Sequence, residues 1–387
     1  MISYGKQTID EKDIDSIVEV LNSDWLTQGP AVEQFETNLK EYFGSKYACA
    51  VSNGTAALHL CGLALGWKKE DIILTSPLTF LATANSIIYC GATPDFVDIN
   101  PKTYTIDPNL VEDKIKAYQK QGKKIKGIIG VDYAGHPCDW RALRQIANKY
   151  NLQLVNDNCH ALGASYFNDK QYALKYADVV TQSYHPVKHI TTGEGGSILT
   201  NDSGLDEKMR YFRSHGMIKQ DELISQYGSW YYEMHQLGFN YRITDFQCAL
   251  GSNQLNRLDS FISKRRKIAE SYDSLLNLNP EIACIPKVSK NIEHAYHLYP
   301  YQIDFESIEL DKRELFSRMK KSGVLLQVHY IPVHLQPYYQ KNYGFKKNDF
   351  PISESFYSKE VSLPIYPTLS LKDQDIVTSS LTKIIFQ

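Results

Sequence analysis

The chain has 387 residues, 43% of them apolar and 22% charged, with a formal net charge of −2. That length exceeds what one hydrophobic core supports, so two domains with ample burial are expected. The near-neutral balance argues against a nucleic-acid or anionic-membrane surface, since the one basic cluster, Lys120-Gln121-Gly122-Lys123-Lys124-Ile125-Lys126, reads as a solvated turn.

Cys49, Cys61, Cys90, Cys138, Cys159, Cys248 and Cys284 are scattered without a CxxC pair, so neither a zinc site nor a disulfide framework is expected. No segment approaches a membrane span and the first residues lack the apolar stretch of a signal peptide. A reducing, cytoplasmic setting follows as the expectation.

In chain order, short β-rich runs at 47–52, 71–75, 93–99, 125–131, 152–157 and 178–183 alternate with helical patterns at 55–65, 108–119 and 140–150. Strands joined by helix-length crossovers predict a largely parallel sheet. Ligands of such sheets bind beyond the carboxyl ends of the strands, where Asp157 and Ser183 fall. Gly193-Glu194-Gly195-Gly196 reads as a turn into a strand at 197–200. Apolar residues from Phe246 to Leu275 keep three-to-four spacing, which predicts one long helix bridging two lobes. After about 290 a small α+β unit is expected: a strand at 298–305, a helix at 311–322, a strand at 324–330 and a terminal helix from Leu371. The division expected is a large domain of 1–255 and a small one of 256–387.

Several segments carry chemistry. Asn53-Gly54-Thr55-Ala56 opens a helix after a strand, where N–H groups and the helix dipole suit a phosphate; taken alone, it is equally an ordinary capped turn. Asp157 ends a strand and is followed by Asn158-Cys159-His160, which reads either as a turn cap with a satisfied histidine or as ligands for a heteroaromatic ring. Ser183 and Lys188 flank the stiff Pro186, although a lysine in a polar loop is usually a solvated charge. His185 and His189 beside it lack the further ligands that zinc needs. Phe80 suits ring stacking or a core, and Asn240 and Arg242 suit positioning or helix capping. The run Val328-His329-Tyr330-Ile331-Pro332-Val333-His334 offers handles for a substrate or an interface. An amine and a carboxylate at two strand ends are what pyridoxal phosphate requires: a Schiff-base partner, and a group that keeps the ring nitrogen protonated.

Taken in order, Gly54-Thr55-Ala56-Ala57-Leu58, Thr79-Phe80-Leu81-Ala82-Thr83, Gly91-Ala92-Thr93-Pro94-Asp95-Phe96-Val97-Asp98, Asp157…His160-Ala161-Leu162-Gly163-Ala164, Ser183…Lys188, Gly193-Glu194-Gly195-Gly196 and Gly238-Phe239-Asn240-Tyr241-Arg242 resemble the sugar-nucleotide aminotransferases related to the DegT/DnrJ/EryC/StrS proteins. The resemblance runs from Thr27 to Tyr330. It implies an α/β architecture, the type I fold of pyridoxal-phosphate-dependent transferases, with a mostly parallel central sheet and a smaller α+β C-terminal domain. It implies Lys188 as Schiff-base and proton-shuttling residue, Asp157 on the pyridine nitrogen and His160 near the ring oxygen. Gly54, Thr55, Ala56 and Ser183 would hold the phosphate, with Phe80 stacked near the ring. Asn240 would reach the phosphate of a neighbouring subunit, making a homodimer with shared active sites part of the expectation. Tyr4, Thr27, His185, Arg242, His329 and Tyr330 would face the substrate. One departure is Asn156, where the family often has glutamate.

Within the family, the strings around Lys188 and His329 resemble the aminotransferases of pseudaminic acid biosynthesis. That implies ping-pong amination at C4 of a UDP-linked 2-acetamido-2,6-dideoxy-4-ketohexose, with L-glutamate as donor and 2-oxoglutarate as by-product. An enzyme for a different nucleotide-linked ketosugar would keep the same residues. A pyridoxal-phosphate-dependent sugar dehydratase would carry histidine in place of Lys188; a non-catalytic cofactor-binding protein is disfavoured because every expected catalytic residue is present, and a turnover assay separates it.

Overall fold

The computed structural model describes residues 1–386. Seven strands make the central sheet: β1 (Tyr47–Val51), β2 (Ile72–Thr75), β3 (Thr93–Phe96), β4 (Ile125–Val131), β5 (Gln153–Asp157), β6 (Val179–Ser183) and β7 (Gly196–Thr200). Their spatial order is β1-β7-β6-β5-β4-β2-β3. Only β7 is antiparallel to its neighbours, β1 and β6; the other pairs are parallel.

Successive strand residues point to opposite faces. Ala48, Leu74, Ile128, Leu154, Val180 and Leu199 enter one core, while Cys49, Ile73, Ile129, Val155, Val179 and Ile198 enter the other. Helices cover both faces, which is why the strands read as continuous apolar runs.

Local chemistry sets the crossovers. Asp107 caps a helix whose first residue is Pro108, and Asp139 caps Trp140–Tyr150, which Asn151 ends in the left-handed region at φ 54°. The proline brings a helical φ and lacks the N–H that a first turn would leave unpaired.

The pattern expected as one helix is two, Asp245–Asn256 and Leu258–Leu276, broken at Arg257. There the Arg257 N–H bonds the carbonyl of Gln254, three residues back. Its guanidinium swings to Asp10 and to the fully buried Asp13, which also accepts from Gln254 Nε2 at 2.7 Å. The second helix carries Ile268, Ala269, Tyr272 and Leu276 into a separate core. That core also receives a three-stranded antiparallel sheet of β8 (Ala283–Cys284), β9 (Tyr299–Ile303) and β10 (Glu360–Leu363), and the terminal helix Leu371–Phe386.

The strand expected at 324–330 is not one. The segment makes only single bridges, Ile2 with Val324 and Gln327 with Ser362. The Val324 N–H turns back to the Met319 carbonyl at 2.9 Å, and side chains take the backbone of His329: its N–H donates to Glu360 Oε2 at 3.0 Å, and the Tyr133 hydroxyl donates to its carbonyl. The edge partner of β9 is instead β10, which the sequence reading missed. No described helix is long and apolar enough to cross a membrane.

Candidate active site

β1 runs almost directly into the helix Gly54–Ala64. The Asn53 side chain accepts the Ala56 N–H at 2.8 Å, and its carbonyl accepts that of Ala57 at 3.1 Å. Ala56, expected among the phosphate-binding groups, therefore has its N–H occupied by the cap. The open end of the helix is left to the N–H groups of Gly54 and Thr55. A β-carbon at Gly54 would lie 2.8 Å from Ser183 Cβ, so glycine is what lets this helix end approach the end of β6.

Asp157, at the end of β5, is buried. Thr83 Oγ1 bonds its Oδ2 at 2.7 Å, and the Cys159 N–H reaches Oδ1 at 3.3 Å. Beside it, His160 Nδ1 accepts the Ala134 N–H at 3.3 Å, which leaves the proton of the neutral ring on Nε2, 3.1 Å from the Tyr330 hydroxyl. Burial first, and then the Lys188 charge, hold His160 well below the usual histidine range.

Lys188 follows β6, its N–H bonded to the His185 carbonyl at 2.9 Å. Its Nζ stands 3.4 Å from His297 Nε2. Burial lowers its affinity for a proton, against the opposing influence of Cys159 and Asp157. Tyr330 faces Phe80 with ring centroids 5.9 Å apart. Phe80 is 54% exposed, so it lies open beside the site rather than in the core. His329 is buried, bonds Ser362 Oγ through Nδ1 at 2.8 Å and has the Tyr4 ring 5.4 Å away.

Among the described residues, the side chains of Asn240, Thr27, His185 and Arg242 form no hydrogen bond to Lys188, Asp157 or His160. Asn240, Thr27 and His185 are exposed, with the backbone of Asn240 bridged to Ser214 and that of Thr27 to Thr244. Arg242 lines a separate cleft with Gln28, Glu36, Arg210 and Arg213. Asn156 is fully buried with neither side-chain atom hydrogen-bonded among the described residues.

Sequence reading missed Thr79, Thr83 and His297. Thr79 and Thr83 are four residues apart in Thr79-Phe80-Leu81-Ala82-Thr83, the spacing at which side chains meet across one helical turn, and that spacing is a readable signal. His297 is 109 residues from Lys188 and carries no local signal.

Comparison with known proteins covers the whole chain. The model of the DegT/DnrJ/EryC1/StrS aminotransferase family matches residues 7–382. The UDP-4-amino-4,6-dideoxy-N-acetyl-beta-L-altrosamine transaminase of Campylobacter jejuni serotype O:2 is 39% identical over 386 residues, covering 100% of this chain and 98% of that protein. The structure of Helicobacter pylori PseC, an aminotransferase involved in the biosynthesis of pseudoaminic acid, superposes with TM-score 0.89 at 32% identity, covering 99% of both chains. The PLP-form of the putative sugar aminotransferase Spr1654 from Streptococcus pneumoniae gives TM-score 0.86 at 27% identity, over 98% of this chain and 97% of that one.

Proposed function

We propose that this chain, which belongs to the DegT/DnrJ/EryC1/StrS aminotransferase family, aminates C4 of a UDP-linked 2-acetamido-2,6-dideoxy-4-ketohexose with L-glutamate as donor. Its fold is the type I fold of pyridoxal-phosphate-dependent transferases, and family membership implies that cofactor. The residues present fit it. The helix end at Gly54 and Thr55, packed too closely on Ser183 for a β-carbon, offers N–H groups and a hydroxyl to a phosphate. Asp157 offers a buried carboxylate to a ring nitrogen, Lys188 an amine to the aldehyde, and Phe80 an open ring face. Bound there, pyridoxal phosphate supplies an electron sink for the carbon that loses its proton.

The observation that carries this reading is the convergence of Lys188 and Asp157 at adjacent strand ends. Burial moves Lys188 toward the uncharged amine, the form that both attack and proton abstraction need. Thr83 holds Asp157 in one orientation, so its second oxygen can meet a ring N–H. His160 presents Nε2–H beside Tyr330, a donor for an oxygen on the ring. Tyr330 stands against Phe80, and with His329 and Tyr4 it would meet the sugar. With the cofactor bound, Lys188 would take the α-proton of glutamate and return it across the nitrogen to the cofactor's former aldehyde carbon; water would release 2-oxoglutarate and leave the amino group on the cofactor, and the reverse sequence would deliver that nitrogen to the sugar with loss of water. Exposure of Asn240 leaves it available to a phosphate of the partner in a homodimer with shared sites, where Thr27, His185 and Arg242 would complete the substrate side. Seven unpaired cysteines support a reducing compartment, the cytoplasm.

The choice of sugar is supported by the names of the Campylobacter and Helicobacter relatives. Amino-¹⁵N-glutamate and the UDP-4-ketosugar test it by mass spectrometry. Label in the sugar with an equal amount of 2-oxoglutarate is expected. Label entering only another nucleotide-linked ketosugar would reject the substrate, and no transfer from glutamate would reject the donor.

A further inference from the structure

Among the described residues, Lys188 forms no ion pair, and its Nζ has one side-chain hydrogen-bond partner, His297 Nε2 at 3.4 Å. The mechanism above gives His297 no task, yet it is fixed from both sides. Arg265 Nη1 binds the carbonyls of Tyr296 at 3.0 Å, His297 at 3.4 Å and Ile365 at 2.9 Å, and the next residue, Leu298, donates to the Ala134 carbonyl at 3.2 Å. The ring lies 4.4 Å from that of His160 and 5.6 Å from that of His189. Burial, followed by the charge of Lys188, keeps it well below the usual histidine range. A neutral imidazole has a single acceptor nitrogen. His297 Nδ1 has no partner among the described residues, so nothing else fixes the tautomer.

We propose that His297 is the positioning residue for the Lys188 amine: Nε2 accepts a hydrogen bond from Nζ and fixes where the amine stands whenever it is released from the cofactor. The inference rests on the assignment of Lys188 as the cofactor-binding amine. A carboxylate in this place would hold the lysine as a permanent ammonium ion. An uncharged acceptor orients the amine and still lets it lose its proton. The groups facing the pair are His160, His189 and Arg265 around the imidazole, with Asp157, Cys159 and His329 around the amine.

The test compares His297→Leu, which removes the acceptor, with His297→Gln, which restores one. In cofactor-free protein, reductive methylation of Lys188 is followed by peptide mass spectrometry across pH. Loss of an acceptor disfavours the ammonium form, so the labelling midpoint should fall by about one pH unit, a tenfold change in proton affinity, in His297→Leu. In His297→Gln it should stay within a few tenths of a unit. With cofactor bound, glutamate turnover in His297→Leu should slow at least tenfold (~) at unchanged glutamate KM, with most of the rate restored in His297→Gln. A wild-type midpoint in His297→Leu would overturn the proposal, as would equal behaviour of the two variants. If neither variant folds, ¹⁵N-histidine spectra of the wild type decide, because the His297 Nε2 resonance must follow the titration of Lys188. Borohydride reduction of the loaded enzyme separates the two claims: a cofactor tag on another lysine removes the functional assignment itself, whatever the His297 variants do.

Discussion

Thr83 Oγ1 donates a 2.7 Å hydrogen bond to Oδ2 of the buried Asp157. A hydroxyl has one proton, so the 2.8 Å contact between Thr83 and Thr79 must run from Thr79 to Thr83. The two hydroxyls thus form a directional chain from the start of the helix Leu81–Tyr89 to the end of β5. Thr83→Val keeps the shape and removes the donor. We expect cofactor affinity to fall roughly ten- to a hundredfold, since a hydrogen bond to a charged group contributes about 1.5–3 kcal/mol. Fluorescence titration of the cofactor-free protein checks this, and an unchanged affinity would remove the chain from the account.

Gly54→Ala places a methyl group 2.8 Å from Ser183 Cβ, closer than packed carbons approach. The helix end and β6 must separate. Pyridoxal phosphate binding should weaken at least tenfold (~), because the helix N–H groups and Ser183 no longer meet one phosphate, while overpacking costs about 1–3 kcal/mol of stability. Comparing inorganic phosphate binding in wild type and variant isolates the effect from the ring contacts.

The first turn of the chain and the broken helix share a buried charge. Asp13 is fully buried and is met by Arg257 and by Gln254 Nε2 at 2.7 Å. Arg257→Ala leaves that carboxylate without its cation and should cost about 3 kcal/mol. Urea unfolding with an unchanged slope but a lower midpoint is the expected result.

Acid should destabilise the protein from near pH 6.5 downward. Burial, followed by the Lys188 charge, pushes His329 from 6.5 down to about 3. Burial also holds His160, His189, His294 and His297 well below 6.5. Above pH 6.5 these rings are neutral folded and unfolded, so their titration costs nothing. As pH falls, the unfolded chain takes protons that the folded one refuses. Stability is therefore lost between 6.5 and about 3 for His329, at roughly 1.4 kcal/mol per pH unit for each such ring. Thermal melts of wild type and His329→Asn across this range should differ in slope by about one proton.

The strands of the large sheet were legible because both faces are buried, so each announces itself as an apolar run between turn residues. The positions of Asp157 and Ser183 at strand ends, with Lys188 in the loop that follows, were legible because each apolar run stops at them, and strand ends are where this architecture presents chemistry. The strand at Glu360–Leu363 escaped since only four residues pair there, and one of them is a glutamate, a residue type that rarely marks a buried strand. The segment 324–330 has a strand-like composition, but its backbone is divided among Met319, Ile2 and Ser362, and that of His329 among the Glu360 and Tyr133 side chains. Nothing near Arg257 announces the helix break, because its partners Asp10 and Asp13 lie some 245 positions away. His297 belongs to the same class: its meaning lies in a contact that only folding creates.

The most direct test is the visible absorption spectrum of the protein reconstituted with pyridoxal phosphate, taken before and after L-glutamate and again after the UDP-4-ketosugar. The account predicts a band that glutamate bleaches and the ketosugar restores, with Lys188→Ala failing both steps. A band that ignores glutamate, or a Lys188→Ala protein that cycles at the wild-type rate, would contradict it.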